Sequence, residues 1–396
     1  MPVSESTASK PNFPQLTSLR FFLALWVVLF HQAYADGYLP PTVPGLTDWA
    51  YTVLQAGYLA VSVFFVLSGF VLSCNYPLNI RWPYLSKRTL QFAIGRFARI
   101  YPAYLVGLVL VVPHIWQSLA PDHRLSRLAN EALLAIPHWT LLQAWIPSLA
   151  LSWNPPGWSL SAEAFFYACF PLLGVAIWRL SSIRSLAIAC VSTWLAALAA
   201  PLVIQLTAEE AFRVDPARLN PASFWTTLAF YSPLLRLPEF AAGIVLGKLY
   251  LELGRRGSTL LNHGFWLYLP AILIEAAVIL ASDSLPSAIF ENALLLPIHA
   301  AIILGFALGG GPLLSLLSKR VFVFLGNASY AIYILHLPVL MWMKLAVAPG
   351  TDGLGIMALY VATVVGFSML LYLWVEVPAN RYLKQRLTPP STARND

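Results

Sequence analysis

The stretch Leu19-Arg20-Phe21-Phe22-Leu23-Ala24-Leu25-Trp26-Val27-Val28-Leu29-Phe30-His31 decides the fold class, because an arginine and a histidine stand within an otherwise apolar run. Eleven residues make about three turns of α-helix, so Arg20 and His31 lie on one face, roughly 16 Å apart along the axis. Ionisable side chains are costly in hydrocarbon and usually face a bundle interior or a water-filled cavity. The stretch therefore predicts a membrane helix beside a polar intramembrane site. In the alternative interpretation, Arg20 extends to the lipid headgroups and His31 hydrogen-bonds to a neighbouring helix.

The composition is that of a polytopic membrane protein. Of the 396 residues, 59% are hydrophobic and 10% are charged, and the mean hydropathy is +0.70, which is typical of a chain whose main partner is the lipid bilayer. The formal charge of +7 comes from basic residues scattered between apolar runs and indicates no nucleic-acid partner. Cys74, Cys169 and Cys190 show neither a disulfide pattern nor a zinc-ligand spacing, so we expect no metal site.

Ten apolar windows approach the roughly 20 residues that a helix needs to cross a bilayer. The sequence therefore predicts an all-α polytopic membrane protein, with about ten transmembrane helices around a polar intramembrane site. One window contains Pro233 and Arg236, so we expect that helix to be kinked or broken. The windows lie at 17–34, 57–76, 99–118, 159–178, 184–206, 222–247, 264–281, 288–309, 322–343 and 354–376.

The basic residues also predict the orientation of the chain. With the N-terminus in the cytoplasm, 18 of the 24 Lys and Arg residues fall in inside segments and 5 in outside segments, including the outside loops 119–158 and 207–221. This split satisfies the positive-inside rule, and an even number of spans puts both termini in the cytoplasm. We therefore expect a cytoplasmic tail (1–16), a membrane domain (17–384) and a second cytoplasmic tail (385–396).

Arg96 and Arg99 open the third window on the predicted cytoplasmic side. They are i,i+3 neighbours on one helix face. Paired guanidinium groups suit phosphate groups, because each presents a planar fork of donors. Ordinary anchoring at the inner membrane surface explains the same pair equally simply, so both interpretations stay open.

Trp158, Glu163 and Tyr167 open the fourth window on the predicted outer side. Glu163 and Tyr167 are one helical turn apart. A carboxylate there could orient a sugar or a histidine at the mouth of the site, or simply complement the helix dipole. Aromatic residues in this region could stack on sugar rings or form an interfacial belt.

A polar stripe occupies the ninth window. Ser329, Tyr333 and His336 fall at i, i+4 and i+7, with Tyr330 beside them. A polar stripe in an apolar helix must face protein or a cavity, so it predicts either a binding surface or hydrogen bonds between helices.

Together these segments resemble the integral-membrane acyltransferases of acyltransferase family 3. The motifs occur in the family's order over residues 16–384. They are Arg20-x10-His31, Phe64-Phe65-Val66-Leu67-Ser68-Gly69-Phe70, Arg96-x-x-Arg99-Ile-x-Pro102, Trp158-Ser159-Leu160 with Glu163, Ser329-Tyr330 through His336-x-Pro338, and Glu376-x-Pro378-x-x-Arg381. Many members carry an Asp and a Gly where this chain has Thr17 and Phe21. It looks most like the branches that O-acetylate exopolysaccharides.

The resemblance implies transfer of an acetyl group from cytoplasmic acetyl-CoA, across or within a bacterial inner membrane, to a hydroxyl of a polysaccharide or its lipid-linked precursor. It implies a contact with polysaccharide-synthesis machinery. Within this scheme we expect His31 to be the general base, with Arg20 and Glu163 beside it. We expect Arg96, Arg99 and Arg20 to bind the donor. The residues expected to bind the acceptor are Trp158, Tyr167, Ser329, Tyr330, Tyr333 and His336.

Two other function classes fit parts of the pattern. A secondary transporter for a polar solute or a lipid-linked sugar would also have a broken helix and intramembrane charges. Transporters commonly show internal repeats, and we find none in this sequence. A structural partner in a polysaccharide-export complex is the third class.

Overall fold

The computed structural model describes residues 11–34, 47–76, 87–118, 124–207, 224–260, 262–282, 289–347 and 353–387, and all regular structure in these ranges is helical. The first eight α-helices are α1 (Pro14–Tyr34), α2 (Asp48–Gln55), α3 (Ala60–Asn75), α4 (Lys87–Ser118), α5 (Arg124–Trp139), α6 (Gly157–Trp178), α7 (Ile183–Thr207) and α8 (Phe224–Tyr231). The others are α9 (Pro233–Arg255), α10 (Phe265–Leu280), α11 (Leu296–Leu308), α12 (Pro312–Leu317), α13 (Arg320–Ala346), α14 (Leu354–Leu371) and α15 (Val377–Leu387).

Seven helical segments of the described chain are long and apolar enough to cross a membrane, which confirms the predicted fold class. The remaining three predicted windows contain α9, which carries Arg236 and Glu239, and the shorter apolar helices α10 and α11. The number of ten spans stays a prediction. The seven segments are Pro14–Gln32, Asp48–Asn75, Thr89–Gln117, Gly157–Trp178, Ile183–Thr207, Arg320–Ala346 and Leu354–Leu387.

The window at 222–247 is broken, as its prolines predict. Helix α8 ends at Tyr231, and α9 begins at Pro233. Between them, Ser232 has extended backbone angles (φ −65°, ψ 123°). Proline fits the first turn of a helix because its missing N–H would have no partner there.

Glycines allow the central helices to approach backbone to backbone. A Cβ at Gly243 of α9 would overlap the carbonyl oxygen of Val66 on α3, and a Cβ at Gly69 would overlap that of Phe240. Similarly, a Cβ at Gly326 of α13 would overlap the carbonyl oxygen of Thr17 on α1. Small residues drive such close crossings in membranes, where packing replaces the hydrophobic effect. The pairs α3–α9 and α1–α13 therefore form a tight frame for the polar side chains between them.

Some predicted features lie outside the described residues. They are most of the N-terminal tail (1–10 of 1–16), the outside loop at 207–221 beyond Thr207, and most of the C-terminal tail (388–396 of 385–396).

Candidate active site

Two cavities follow one another along the helix axes of the bundle. On α1, Arg20 lines the first cavity and His31 the second. On α6 the order along the chain is reversed, because Trp158 lines the second cavity and Glu163 the first. The helices α1 and α6 thus run in opposite directions past the same two spaces. We call the first the arginine cavity and the second the histidine cavity.

The arginine cavity brings together the cationic groups of the site. Arg20 from α1 meets Arg96 and Arg99 from α4, and the three guanidinium groups repel one another. Glu163 is the carboxylate among the described lining residues and attracts Arg20. Buried Glu376, which does not line the cavity, is a second carboxylate and attracts Arg99. With three cations against these two carboxylates, the site has an excess of positive charge and suits an anionic ligand. Its other polar lining residues are Ser68, Ser159, Tyr167, Ser329, Tyr330 and Tyr333.

Glu163 is held in place by two hydroxyl groups. Tyr167, one turn further along α6, donates a short hydrogen bond to Glu163 Oε1. Ser68 of α3 donates to the same oxygen at 3.1 Å. This arrangement fixes the carboxylate among the arginines rather than beside His31, which lines the other cavity. The structure thus places Glu163 in the arginine cavity and His31 in the neighbouring one, and a catalytic role for Glu163 stays a prediction.

Arg96 is surrounded by aromatic rings. Its guanidinium carbon lies 5.8 Å from the ring centre of Tyr76 and 5.9 Å from those of Phe92 and Tyr167. A guanidinium over an aromatic face is stabilised by the ring quadrupole while its N–H edge stays available. The rings therefore position Arg96 without neutralising its charge.

The histidine cavity is mainly apolar and aromatic. The cation among the described residues that line it is Arg236, which is only 4% exposed. Arg236 Nε lies 3.2 Å from Glu239 Oε2, and its Nη2 donates to Ser62 Oγ at 2.9 Å. Arg236 and Glu239, which are i,i+3 neighbours on α9, thus form an ion pair that leaves this cavity without net charge. The remaining lining residues are Val27, Phe30, Tyr58, Val61, Leu151, Pro155, Pro156, Trp158, Phe230, Tyr231 and Tyr333.

The hydrogen bond of His31 fixes its tautomer. His31 Nδ1 lies 3.0 Å from the carbonyl oxygen of Val27, one turn earlier on α1. A carbonyl oxygen can only accept, so Nδ1 carries the proton and Nε2 of the neutral ring carries a lone pair. This tautomer gives a proton acceptor at Nε2, as a general base requires.

His336 packs behind His31 instead of lining a cavity. The two ring centres are 4.8 Å apart, and His336 is 0% exposed. Its Nδ1 donates to the carbonyl oxygen of Tyr333 at 2.6 Å. His336 is thus not among the described residues that line either cavity, because it lies in the contact between α13 and α1, and its role in acceptor binding stays a prediction.

Tyr333 and Val61 line both cavities. The Tyr333 hydroxyl donates to Ser159 Oγ at 2.8 Å, while the Ser159 hydroxyl donates to the carbonyl oxygen of Pro156 at 2.9 Å. Tyr333 on α13 and Val61 on α3 therefore form the boundary between the two spaces.

Trp158 is the one remaining predicted acceptor residue that lines the histidine cavity alone, whereas Tyr167, Ser329 and Tyr330 lie with the arginines. Ser329 and Tyr330 also have structural hydrogen bonds. Ser329 Oγ donates to the carbonyl oxygen of Gly326 at 2.8 Å, and Tyr330 donates to that of Ile100 at 2.6 Å. The Tyr330 bond joins α13 to the helix that carries both Arg96 and Arg99.

Sequence reasoning missed Ser68 as a site residue. Small residues such as Ser68 and Gly69 are typical of helix packing. Gly69 lies at the close contact with α9, whereas the Ser68 hydroxyl donates to Glu163. The aromatic residues Phe30, Tyr58 and Tyr231 were missed as well, because nothing in their local sequence separates a cavity wall from a packed core.

A buried histidine stabilises the segment between α5 and α6 at the edge of the histidine cavity. His138 Nε2 lies 2.8 Å from Ser152 Oγ, next to the lining residue Leu151. Burial lowers the pKa of His138 to about 4, so the ring is neutral at physiological pH. Tyr104 of α4 donates to the carbonyl oxygen of His138 at 2.7 Å and ties this segment to the bundle.

A family model described as an acyltransferase domain, that of acyltransferase family 3, matches residues 13–373. The chain belongs to this family. The match covers both cavities and confirms the resemblance seen in the motifs. It identifies the protein as a membrane O-acyltransferase, and the family implies an acyl donor.

Two similar proteins match almost the whole of this chain, and a third matches less than half of it. Acyltransferase MdmB of Streptomyces mycarofaciens is 31% identical over 96% of this chain and 95% of its own length. O-acetyltransferase OatA of Staphylococcus aureus (strain NCTC 8325 / PS 47) is 21% identical over 95% of this chain, which covers 58% of that relative. Peptidoglycan O-acetyltransferase OatA of Listeria monocytogenes serovar 1/2a (strain ATCC BAA-679 / EGD-e) is 26% identical over 41% of this chain and 24% of its own length. No solved structure matches the chain.

Proposed function

We propose that this acyltransferase moves an acetyl group from cytoplasmic acetyl-CoA to a hydroxyl group of a cell-surface or exported polysaccharide, or of its lipid-linked precursor. One observation carries the proposal. A cavity with three guanidinium groups lies directly behind a cavity with an imidazole whose Nε2 carries a lone pair. The first space suits an anionic donor, and the second suits a neutral hydroxyl compound.

The arginine cavity is the proposed donor site. Coenzyme A carries several phosphate groups, and Arg20, Arg96 and Arg99 supply guanidinium forks for them. Glu163 offsets part of their positive charge and attracts Arg20, while two hydroxyls fix the position of its carboxylate. Expulsion of water from such a space strengthens these contacts.

The histidine cavity is the proposed acceptor site. Trp158, Tyr58 and Tyr231 line it with aromatic side chains, which suit the apolar faces of a sugar. The pairing of Arg236 with Glu239 leaves no net charge for the acceptor to neutralise. The names of the OatA relatives describe O-acetyltransferases, and one names peptidoglycan, which supports a glycan acceptor for this chain.

In the proposed reaction, His31 Nε2 removes the proton of the acceptor hydroxyl as its oxygen attacks the thioester carbon. A carbon–oxygen bond forms, the carbon–sulfur bond breaks, and the electron pair leaves with the sulfur. The proton on His31 then passes to the departing sulfur, so the products are an ester and free coenzyme A. The Val27 carbonyl stabilises the imidazolium form through the Nδ1 hydrogen bond.

The orientation follows from the donor. Acetyl-CoA is cytoplasmic, so the arginine cavity faces the cytoplasm and both termini lie on that side of a bacterial inner membrane. The position of Arg20 near the start of α1, which begins at Pro14, supports this arrangement. A contact with polysaccharide-synthesis machinery would deliver the acceptor to the opposite side.

The test is the O-acetyl content of surface and secreted glycan from cells that produce the wild-type chain or an equally inserted His31→Ala variant. We expect alkali-labile acetyl esters with the wild type and almost none with the variant. Purified wild-type protein should also release one free thiol from acetyl-CoA for each ester formed. Glycan transport without thiol release would favour a transporter, and full acetylation with His31→Ala would favour a structural partner.

A further inference from the structure

Val61 of α3 and Tyr333 of α13 stand where the two cavities meet, since both residues line both spaces. We propose that these two side chains form the passage for the acyl group and thereby determine which acyl chain length the enzyme accepts. This inference rests on the proposed function, because it assigns the donor to the arginine cavity and the acceptor to the histidine cavity.

The positions of the cavities require such a passage. Arg20 and His31 are eleven residues apart on one helix, which separates them by roughly 16 Å along the axis. A donor whose phosphates stay with the arginines must therefore extend its thioester end towards His31. The side chains at the boundary are the last that the acyl group passes before it reaches the imidazole.

Both sides of the boundary are held rigidly. Tyr333 is fixed at its hydroxyl by Ser159, and its ring lies edge-on to Phe64 with 6.0 Å between the ring centres. Val61 is 7% exposed and belongs to the helix that crosses α9 at backbone contact. Its branched Cβ restricts its rotamers within a helix. A passage with fixed walls discriminates by size, whereas mobile walls would adapt to longer chains.

The neighbouring valines provide matched controls. Val27 lines the histidine cavity alone, and Val71 lines the arginine cavity alone. A Val→Ala change removes the same atoms at all three positions. Only the change at Val61 widens the space that the acyl group crosses.

The experiment compares kcat/KM for acetyl-, propionyl- and butyryl-CoA in the wild type and in Val61→Ala, Val27→Ala and Val71→Ala. One methylene in an apolar pocket changes selectivity by about 10- to 200-fold. We therefore expect Val61→Ala to raise the propionyl-to-acetyl ratio about 10-fold or more. The two control variants should keep the wild-type ratio, whatever their effect on the absolute rate.

A narrowing variant tests the same passage from the other direction. Val61→Phe should lower acetyl transfer while coenzyme A binding to the detergent-solubilised protein stays at the wild-type level. Val61→Ile, a smaller change, should shift the ratio towards acetyl and provides the result if Val61→Phe fails to fold.

Two outcomes overturn the inference in different ways. If the wild type transfers acetyl and Val61→Ala has the same acyl preference as the two control variants, the passage is elsewhere and the proposed function stands. If the wild type neither binds nor consumes acetyl-CoA, both the passage and the proposed function are wrong.

Discussion

The arginine cavity and the histidine cavity share the helices α1, α3, α6 and α13 but have opposite chemistry. The first contains three guanidinium groups and one carboxylate, and it has an excess of positive charge. The second contains a cation, Arg236, that is already paired, and its walls are mostly aromatic and aliphatic. The charged donor should thus bind away from the base. Changes in the arginine cavity should therefore alter the affinity for acetyl-CoA, whereas changes in the histidine cavity should alter kcat.

The largest expected effect comes from the histidine cavity. His31→Ala should lower kcat by about 10²- to 10⁴-fold, the usual contribution of a general base. The affinity for acetyl-CoA should not change, because His31 does not line the arginine cavity. Initial-rate kinetics and binding of acetyl-CoA in detergent would measure both quantities.

An exposed histidine provides the control for this variant. His114 on α4 is exposed, and His114→Ala should keep wild-type kcat. Near-wild-type turnover of a properly inserted His31→Ala protein would contradict the role of His31 as general base.

The arginine cavity should show the converse pattern. Loss of a hydrogen bond to a charged group costs about 1.5–3 kcal/mol, so Arg96→Ala or Arg99→Ala should weaken acetyl-CoA binding by about 10- to 150-fold. The KM for the acceptor should change little. Lysine at either position should restore only part of the affinity, since one ammonium group cannot reproduce the fork.

Arg255 is the matched control for the arginine variants. Its side chain is 65% exposed and lies 3.8 Å from Glu252, away from both cavities. Arg255→Ala should leave acetyl-CoA affinity unchanged. Equal affinities in all three alanine variants would reduce Arg96 and Arg99 to membrane anchors.

The smallest effect on catalysis should come from a change in the helix crossings that support both cavities. Gly243→Ala places a Cβ against the Val66 carbonyl and should destabilise the α3–α9 crossing by about 1–3 kcal/mol, as overpacking does. Thermal unfolding in detergent would measure the loss. The KM for acetyl-CoA and the kcat per folded molecule should stay close to wild type.

Gly366 on α14 provides the control for Gly243→Ala. A Cβ there meets nothing within 4 Å, so Gly366→Ala should leave the melting temperature unchanged or raise it slightly. A Gly243→Ala protein as stable as Gly366→Ala would show that the close crossing tolerates a methyl group.

The sequence predicts the helices and their polar residues because charges inside apolar runs are visible locally. It predicts which face of each helix is polar but not which neighbouring helix or cavity that face contacts. His336 follows the stripe of Ser329 and Tyr333, yet it packs against α1 and is completely buried. Only the packing of two helices decides which end of a stripe borders open space.

Depth along a helix is the other property that the sequence does not specify. Glu163 lies near the start of its window, which predicts a position at the outer mouth. Six residues after Gly157 correspond to about 9 Å of helix, enough to carry Glu163 from the histidine cavity to the arginine cavity. The partner that fixes it there, Ser68, comes from α3, 95 positions away along the chain.

The most direct test is a cryo-electron microscopy map of the protein with coenzyme A bound. We expect density for the phosphates of coenzyme A within hydrogen-bonding distance of Arg96 and Arg99, with the thiol end of coenzyme A directed at Tyr333 and Val61. Phosphate density in the histidine cavity, or at a site outside both cavities, would contradict the division of donor binding and proton transfer between the two spaces.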